Sequence, residues 1–267
     1  MLKDTTVQLI RESLGHMKHP VRIVLFTSDT GCPQCPSAIE TAQAIKSSGP
    51  RIALETYDIT MDRDKTEAYG VKRAPSFVVE SPDGRTVTFS GAMEGISLVL
   101  LLETIAGISE GRVWLPEKVI APLKLLEKDV HVQVFLDNDC SLCKPVGETA
   151  VGLALANNRV WTDLIVADDF PDLASKLSIK LIPTTVFGRD LRSEGHVPEG
   201  AFLEMLFQAE GQKAAQPEKR CVVCGNPSPD VICTDCKAKI QAEAVEHKRA
   251  DEKLKQAGTV VKPRKNP

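Results

Sequence analysis

The chain has 267 residues, 42% of them hydrophobic and 26% charged, the balance of a soluble globular protein with room for about two domains. A formal net charge of −3 gives no electrostatic reason to expect nucleic acid as the main partner. The longest apolar run, Leu98 to Leu102, is far short of the ~20 residues a bilayer core requires, and Lys3 and Asp4 open an amphipathic stretch with no secretory apolar segment behind it, so a cytoplasmic protein is expected.

The first predicted element is a helix carrying Leu2, Leu9, Ile10 and Leu14. A β-branched strand follows at Val21–Phe26, then Cys32-Pro-Gln-Cys35 and a helix with Ile39, Ala42 and Ile45 on one face. About forty residues beyond Cys35 stands Pro75, followed by a strand-like run, a turn at Pro82-Asp-Gly84, and Gly91-x-x-x-Gly95 leading into an apolar helix. The same order then recurs. Pro116 opens a helix bearing Val119, Ile120, Leu123 and Leu126; a strand runs over Val130–Leu136; and Cys140-Ser-Leu-Cys143 precedes a helix with Val146, Ala150, Val151 and Ala154. About forty residues on stands Pro183, before another strand, a turn at Gly188-Arg-Asp190, and Gly195 to Gly200 before a final apolar helix. The chain is thus a diverged tandem duplication with alternating strands and helices, an α/β layer architecture. The regular pattern stops near residue 208, and Gln208–Pro217 reads as a linker.

All eight cysteines fall in four Cys-x-x-Cys pairs. In a reducing compartment this spacing means redox chemistry or metal binding. The last two pairs, Cys221/Cys224 and Cys233/Cys236, have a glycine and two prolines between them, suited to a turn that folds four thiolates around one ion. One structural Zn²⁺ per chain is expected there, with iron in a rubredoxin-like site as the alternative. The tail after this module is locally basic and reads as a solvated surface segment.

A strand ending in Cys-x-x-Cys, then a proline about forty residues on that precedes another strand, resembles the thioredoxin fold. Two such units in one chain resemble the tandem-thioredoxin protein disulfide oxidoreductases, also called glutaredoxin-like proteins, and the N-terminal domain of the alkyl hydroperoxide reductase flavoprotein. Cys140-Ser-Leu-Cys143-Lys-Pro145 is the nearer match to the thioredoxin active-site run; Gly31-Cys32-Pro-Gln-Cys35-Pro36 lacks its Lys-Pro. The resemblance covers roughly residues 1–212 and implies thioredoxin-like domains over 1–112 and 113–212; the cysteine spacing and composition beyond it give a zinc module at 213–240 and a charged, partly helical or disordered tail at 241–267. It nominates Pro75 and Pro183 as cis prolines facing the dithiols. Cys32 and Cys140 would attack and Cys35 and Cys143 would resolve, the first sulfur of each pair being favoured as thiolate by a helix N-terminus, with the second one turn into the helix. Three departures stand out. Gly31 and Asp139 replace the aromatic before the first cysteine. Phe26 and Val134 replace the buried acid six residues upstream. Neither proline is set in the Thr-Val-Pro run with which glutaredoxins hold glutathione.

The implied activity is reduction or isomerisation of protein disulfides, with no organic cofactor and with a flavin-dependent thioredoxin reductase or similar protein as electron donor. The bland reading of either pair is a vestigial buried dithiol or a pair of metal ligands. The competing function is a redox scaffold or adaptor serving a single partner, docked through the zinc module and tail.

Overall fold

The computed structural model describes residues 2–211, together with Thr234, Ala238 and Lys239. Met1–Ala214 form one unit of the chain; the other, Ala215–Pro267, lies outside the described residues apart from the three just named, and with it lie Cys221, Cys224, Cys233, Cys236 and the tail.

The first repeat runs α1 (Asp4–Leu14), β1 (Val21–Thr27), α2 (Cys35–Ser47), β2 (Ile52–Asp58), α3 (Arg63–Ala68), β3 (Ser76–Glu80), β4 (Thr86–Ser90) and α4 (Gly95–Glu110). The second runs α5 (Glu117–Leu123), β5 (Val130–Leu136), α6 (Cys143–Ala156), β6 (Val160–Val166), a 3₁₀ turn (Ala167–Asp169), α7 (Pro171–Lys176), β7 (Thr184–Phe187), β8 (Leu191–Glu194) and α8 (Glu199–Glu210). This is the predicted order in both copies. α8 continues to Glu210, past the point where the sequence pattern weakens, because the buried Glu210 carboxylate accepts the backbone N–H groups of Glu127 and Lys128 and Gly211 closes the helix in the left-handed region (φ 85°).

The eight strands make one sheet in the order β2-β1-β3-β4-β6-β5-β7-β8. The repeats join where β4 pairs with β6 in parallel, from Val87↔Thr162 to Ser90↔Ile165. β1, β4, β5 and β6 therefore all point the same way, and their carboxyl ends lie along one edge of the sheet.

One face of the sheet carries a core that crosses the junction, from Ile10 and Leu14 of α1 through the leucines of α4 to Val151 of α6 and Phe202 and Leu206 of α8. α4 is buried over most of its surface, so its apolar run Leu98–Leu102 is core, each fully buried leucine contributing about 1.5–3 kcal/mol of transfer free energy. α4 meets α6 at Gly147, where a β-carbon would stand 2.6 Å from a Leu100 methyl. The predicted faces of α1 and α2 hold at Ile10, Leu14, Ala42 and Ile45, with one residue of each at the margin. Leu9 and Ile39 are each 37% exposed, and α2 packs through Ala38, Thr41, Ala42 and Ile45. On the other face two small clusters sit beneath α3 and α7, around Phe26 and Phe135 respectively.

Candidate active site

The sheet edge at the ends of β1 and β5 carries both dithiols. Each is a disulfide in the structure, Cys32–Cys35 and Cys140–Cys143, with Cα atoms 5.4 Å apart in both, inside the range a relaxed bridge requires. The backbone N–H of the second cysteine donates to the carbonyl of the first at 3.1 Å in each pair. Regular helix begins at the second cysteine, not the first. The intervening residues form a tight turn ahead of it, so Cys35 and Cys143 open their helices instead of lying one turn inside them. Exposure separates the partners: Cys32 and Cys140 are half-buried, whereas Cys35 is 4% and Cys143 0% exposed. The Cys35 sulfur also accepts the Ser28 N–H at 3.4 Å.

Both Ala74–Pro75 and Ile182–Pro183 are cis. Pairing of Phe26 with Ser76, and of Phe135 with Thr184, sets each proline level with the last residue of the strand that leads to its dithiol. Each proline carbonyl accepts a glycine N–H, Gly91 at 3.0 Å and Gly195 at 2.7 Å. β1 and β5 are four strands apart, so the two centres sit about 19 Å from each other along the edge.

The register corrects one sequence assignment. Phe26 matches Phe135, not Val134: both pair with the residue after the proline and both pack beneath the small helix of their repeat, while Val134 belongs to the large core. The path from β1 to Cys32 is one residue longer than the path from β5 to Cys140, which misleads counting back from the cysteine. Phe26 is fully buried with Tyr57 and Tyr69 rings at 5.9 and 5.8 Å, so the buried-acid position is packed hydrocarbon in both repeats.

Charged groups reach the centres from elsewhere. Asp58, at the end of β2, accepts the N–H groups of Asp29, Thr60 and Met61 and the Thr60 hydroxyl, and these bonds hold its carboxyl down at about 2. It thereby braces the loop that leads to Cys32. The Lys144 ammonium, next to Cys143, is paired with Glu103 on α4 at 2.8 Å and with Glu148 at 3.2 Å, and the Glu103 bond above all raises its pKa. Arg73, two residues before Pro75, forms a buried ion pair with Asp163 of β6 and donates to Ser90 Oγ at 3.3 Å, while Ser90 Oγ donates to Asp163 at 2.8 Å. Asp169 accepts the Ala92 N–H at 2.7 Å; burial pushes its carboxyl up, against that bond and the influence of the Gln34 side chain, which both lower it. Among these groups, sequence reading singled out only Lys144. The others act across segments far apart in the chain and carry no local motif.

A cavity of about 480 Å³ opens on the α3 side of the β4–β6 junction, lined by Arg73, His131, Trp161 and Asp163 among others, and no cysteine lines it. Among the described residues no group of three or more His, Cys, Asp or Glu side chains is arranged to hold a metal ion, and no helix is long and apolar enough to cross a membrane.

Two cystines at the carboxyl ends of parallel strands, each followed at once by a helix and neighboured by a cis proline, define the class: a thiol–disulfide oxidoreductase of thioredoxin fold with two CxxC centres. Comparison with known proteins agrees. A family model described as thioredoxin domain matches residues 130–208. Probable thioredoxins of Methanothermobacter marburgensis and Methanothermobacter thermautotrophicus are each 41% identical over 73 residues, covering 27% of this chain and 80% of the relative. The chain belongs to the thioredoxin family. Its tandem architecture is similar to that of a protein disulfide oxidoreductase from Aeropyrum pernix (TM-score 0.71, 24% identity, 79% of this chain and 95% of the other). It is also similar to the N-terminal domain of an alkyl hydroperoxide reductase from Enterococcus faecalis (TM-score 0.66, 20% identity, 77% and 100%).

Proposed function

We propose that the chain reduces or isomerises protein disulfides at both centres, Cys32 and Cys140 attacking and Cys35 and Cys143 resolving. The observation that carries this reading is the difference in exposure within each pair: the first cysteine is half-buried and the second buried. In each cycle the thiolate of the first cysteine attacks one sulfur of a substrate disulfide, and that bond breaks with release of a substrate thiolate. The second cysteine, as thiolate, then attacks the first cysteine's sulfur in the mixed disulfide and releases the other substrate sulfur. Two electrons pass to the substrate and the centre is left as the intramolecular disulfide. The unpaired N–H groups at the start of α2 and α6 favour the anion that the attack requires. Pro75 and Pro183, level with the dithiols along the edge, suit docking of an extended substrate segment. A dithiol or flavin-dependent reductase supplies the electrons that reopen the disulfides, in a cytoplasmic setting.

Spacing alone supports one structural Zn²⁺ held by Cys221, Cys224, Cys233 and Cys236. Metal analysis of the purified chain should return ~1 zinc that is lost in Cys233→Ser; iron in its place, or no metal, ends that reading.

An insulin-type reduction assay tests the activity. Cys32→Ser and Cys140→Ser each remove part of the turnover, and together they abolish it. A wild type with no turnover that co-purifies with one protein would instead establish a single-partner adaptor.

A further inference from the structure

The Gly91-x-x-x-Gly95 segment closes the first repeat just as Gly195 to Gly200 closes the second, yet only the first copy is gripped by the opposite repeat. A β-carbon on Gly91 would lie 2.6 Å from the Asp169 carboxylate, and one on Gly95 would collide with the Asn138 carbonyl oxygen; at Gly195 and Gly200 nothing lies within 4 Å. Gly91 and Gly195 are structural equivalents, since each donates its N–H to the proline carbonyl of its own repeat. The bare α-carbon of Gly91 thus lets a carboxylate of the second repeat reach the loop held by the Pro75 carbonyl. Asp169 there accepts the Ala92 N–H, next to the glycine pinned to the Pro75 carbonyl, and Gln34, the residue just before Cys35, favours its charged form.

We infer that Asp169 is a positioning residue of the first dithiol, supplied across the repeat junction, and that its charge makes the Cys32–Cys35 couple more reducing than it would otherwise be. The inference rests on the disulfide-exchange reading. In this repeat Phe26 fills the buried-acid position, and Asp169 comes from a segment more than a hundred residues away in sequence. A negative charge on the Pro75 wall of the site disfavours the Cys32 thiolate and so favours the disulfide; a couple whose reduced form is less stabilised has the lower potential. The second centre has no counterpart of this contact at Gly195. Its inter-repeat contacts are the Ile96 N–H to the Asn138 carbonyl at 2.9 Å, the Ser97 hydroxyl to Asn138 Oδ1 at 2.6 Å, and Glu103 to Lys144.

The test equilibrates each dithiol alone with glutathione buffers, the first in Cys140→Ser/Cys143→Ser and the second in Cys32→Ser/Cys35→Ser. Asp169→Asn, which can still accept the Ala92 N–H, should move the first couple toward its dithiol form about tenfold, ~30 mV less negative. The second couple, and the first couple in a chain carrying Asp168→Asn at the exposed neighbouring acid, should stay within about twofold. Asp169→Ser removes charge and reach together and should give at least the same shift. A folded neutral variant that leaves the first couple within about twofold, or that shifts both couples equally, overturns the positioning role alone. A wild type that does not exchange with glutathione overturns it together with the reading it rests on.

Discussion

The first and second dithiols share strand, turn, helix and proline, but they differ in what holds them. The first is braced by carboxylates: Asp58 at the end of β2 ties down its approach loop, and Asp163 and Asp169 arrive from the other repeat. At the position matching Asp58 the second repeat has Val166, and its dithiol is instead flanked by the Lys144–Glu103 pair and by Asn138 seated on the start of α4. One centre receives acids from the opposite repeat, while the other keeps its own Asp137 and Asp139 and stands beside a paired lysine. The lesson is that duplicated scaffolds keep the reacting atoms alike while the surroundings that tune them drift apart.

The strongest challenge to this contrast is at the junction. Arg73→Ala leaves the Asp163 carboxylate buried without its partner and should cost about 3–5 kcal/mol in denaturant unfolding; a loss under ~1 kcal/mol would mean that the pair holds nothing. Next comes Gly95→Ala, where the new methyl meets the Asn138 backbone at φ 46°. It should destabilise by ~3 kcal/mol, against ~0.5 kcal/mol or less for Gly200→Ala, its open counterpart. Equal costs would erase the asymmetry.

Lys144→Gln should change global stability by less than ~1 kcal/mol, because the lysine and its partners are all about a third exposed. Its effect belongs to the second dithiol only, as a slower alkylation of Cys140 at neutral pH with Cys32 unchanged. The smallest effect needs acid to appear. The Asp58 carboxyl is held at about 2, below its unfolded value of ~3.9, so what it contributes is present above pH ~4 and is lost as the pH falls through 2. Wild type should therefore lose protection of the Ser28–Gly31 amides over that window, in hydrogen exchange, while Asp58→Asn shows no such pH step.

Much of this was legible in the sequence because the carriers are local. Each Cys-x-x-Cys, its following helix and its proline fall within one stretch of about fifty residues, so the repeat could be read directly, and the resemblance it carries nominated both prolines as cis. What escaped was either a matter of register or of distance along the chain. Val134 stood in for Phe135 because counting back from a cysteine assumes equal loops, and only the pairing of β5 with β7 exposes the extra residue before Cys32. Leu9 and Ile39 follow helical spacing, yet each lies at the margin of a face whose buried residues are Ile10 and Leu14 in α1 and Ala38, Thr41, Ala42 and Ile45 in α2. Asp163 and Asp169 are ordinary acids until β4 lies beside β6; no motif could nominate them.

That pairing also governs what happens if the two halves are parted. Severed near residue 112, each fragment would bare a strand built for an interior place: β4 on one piece, with Val87 and Phe89 turned to the core, and β6 on the other, with Leu164. Such open backbone ladders seek a new mate. The isolated halves should thus recombine with one another or stick to copies of themselves, and the two repeats are best regarded as a single sheet with two reactive mouths.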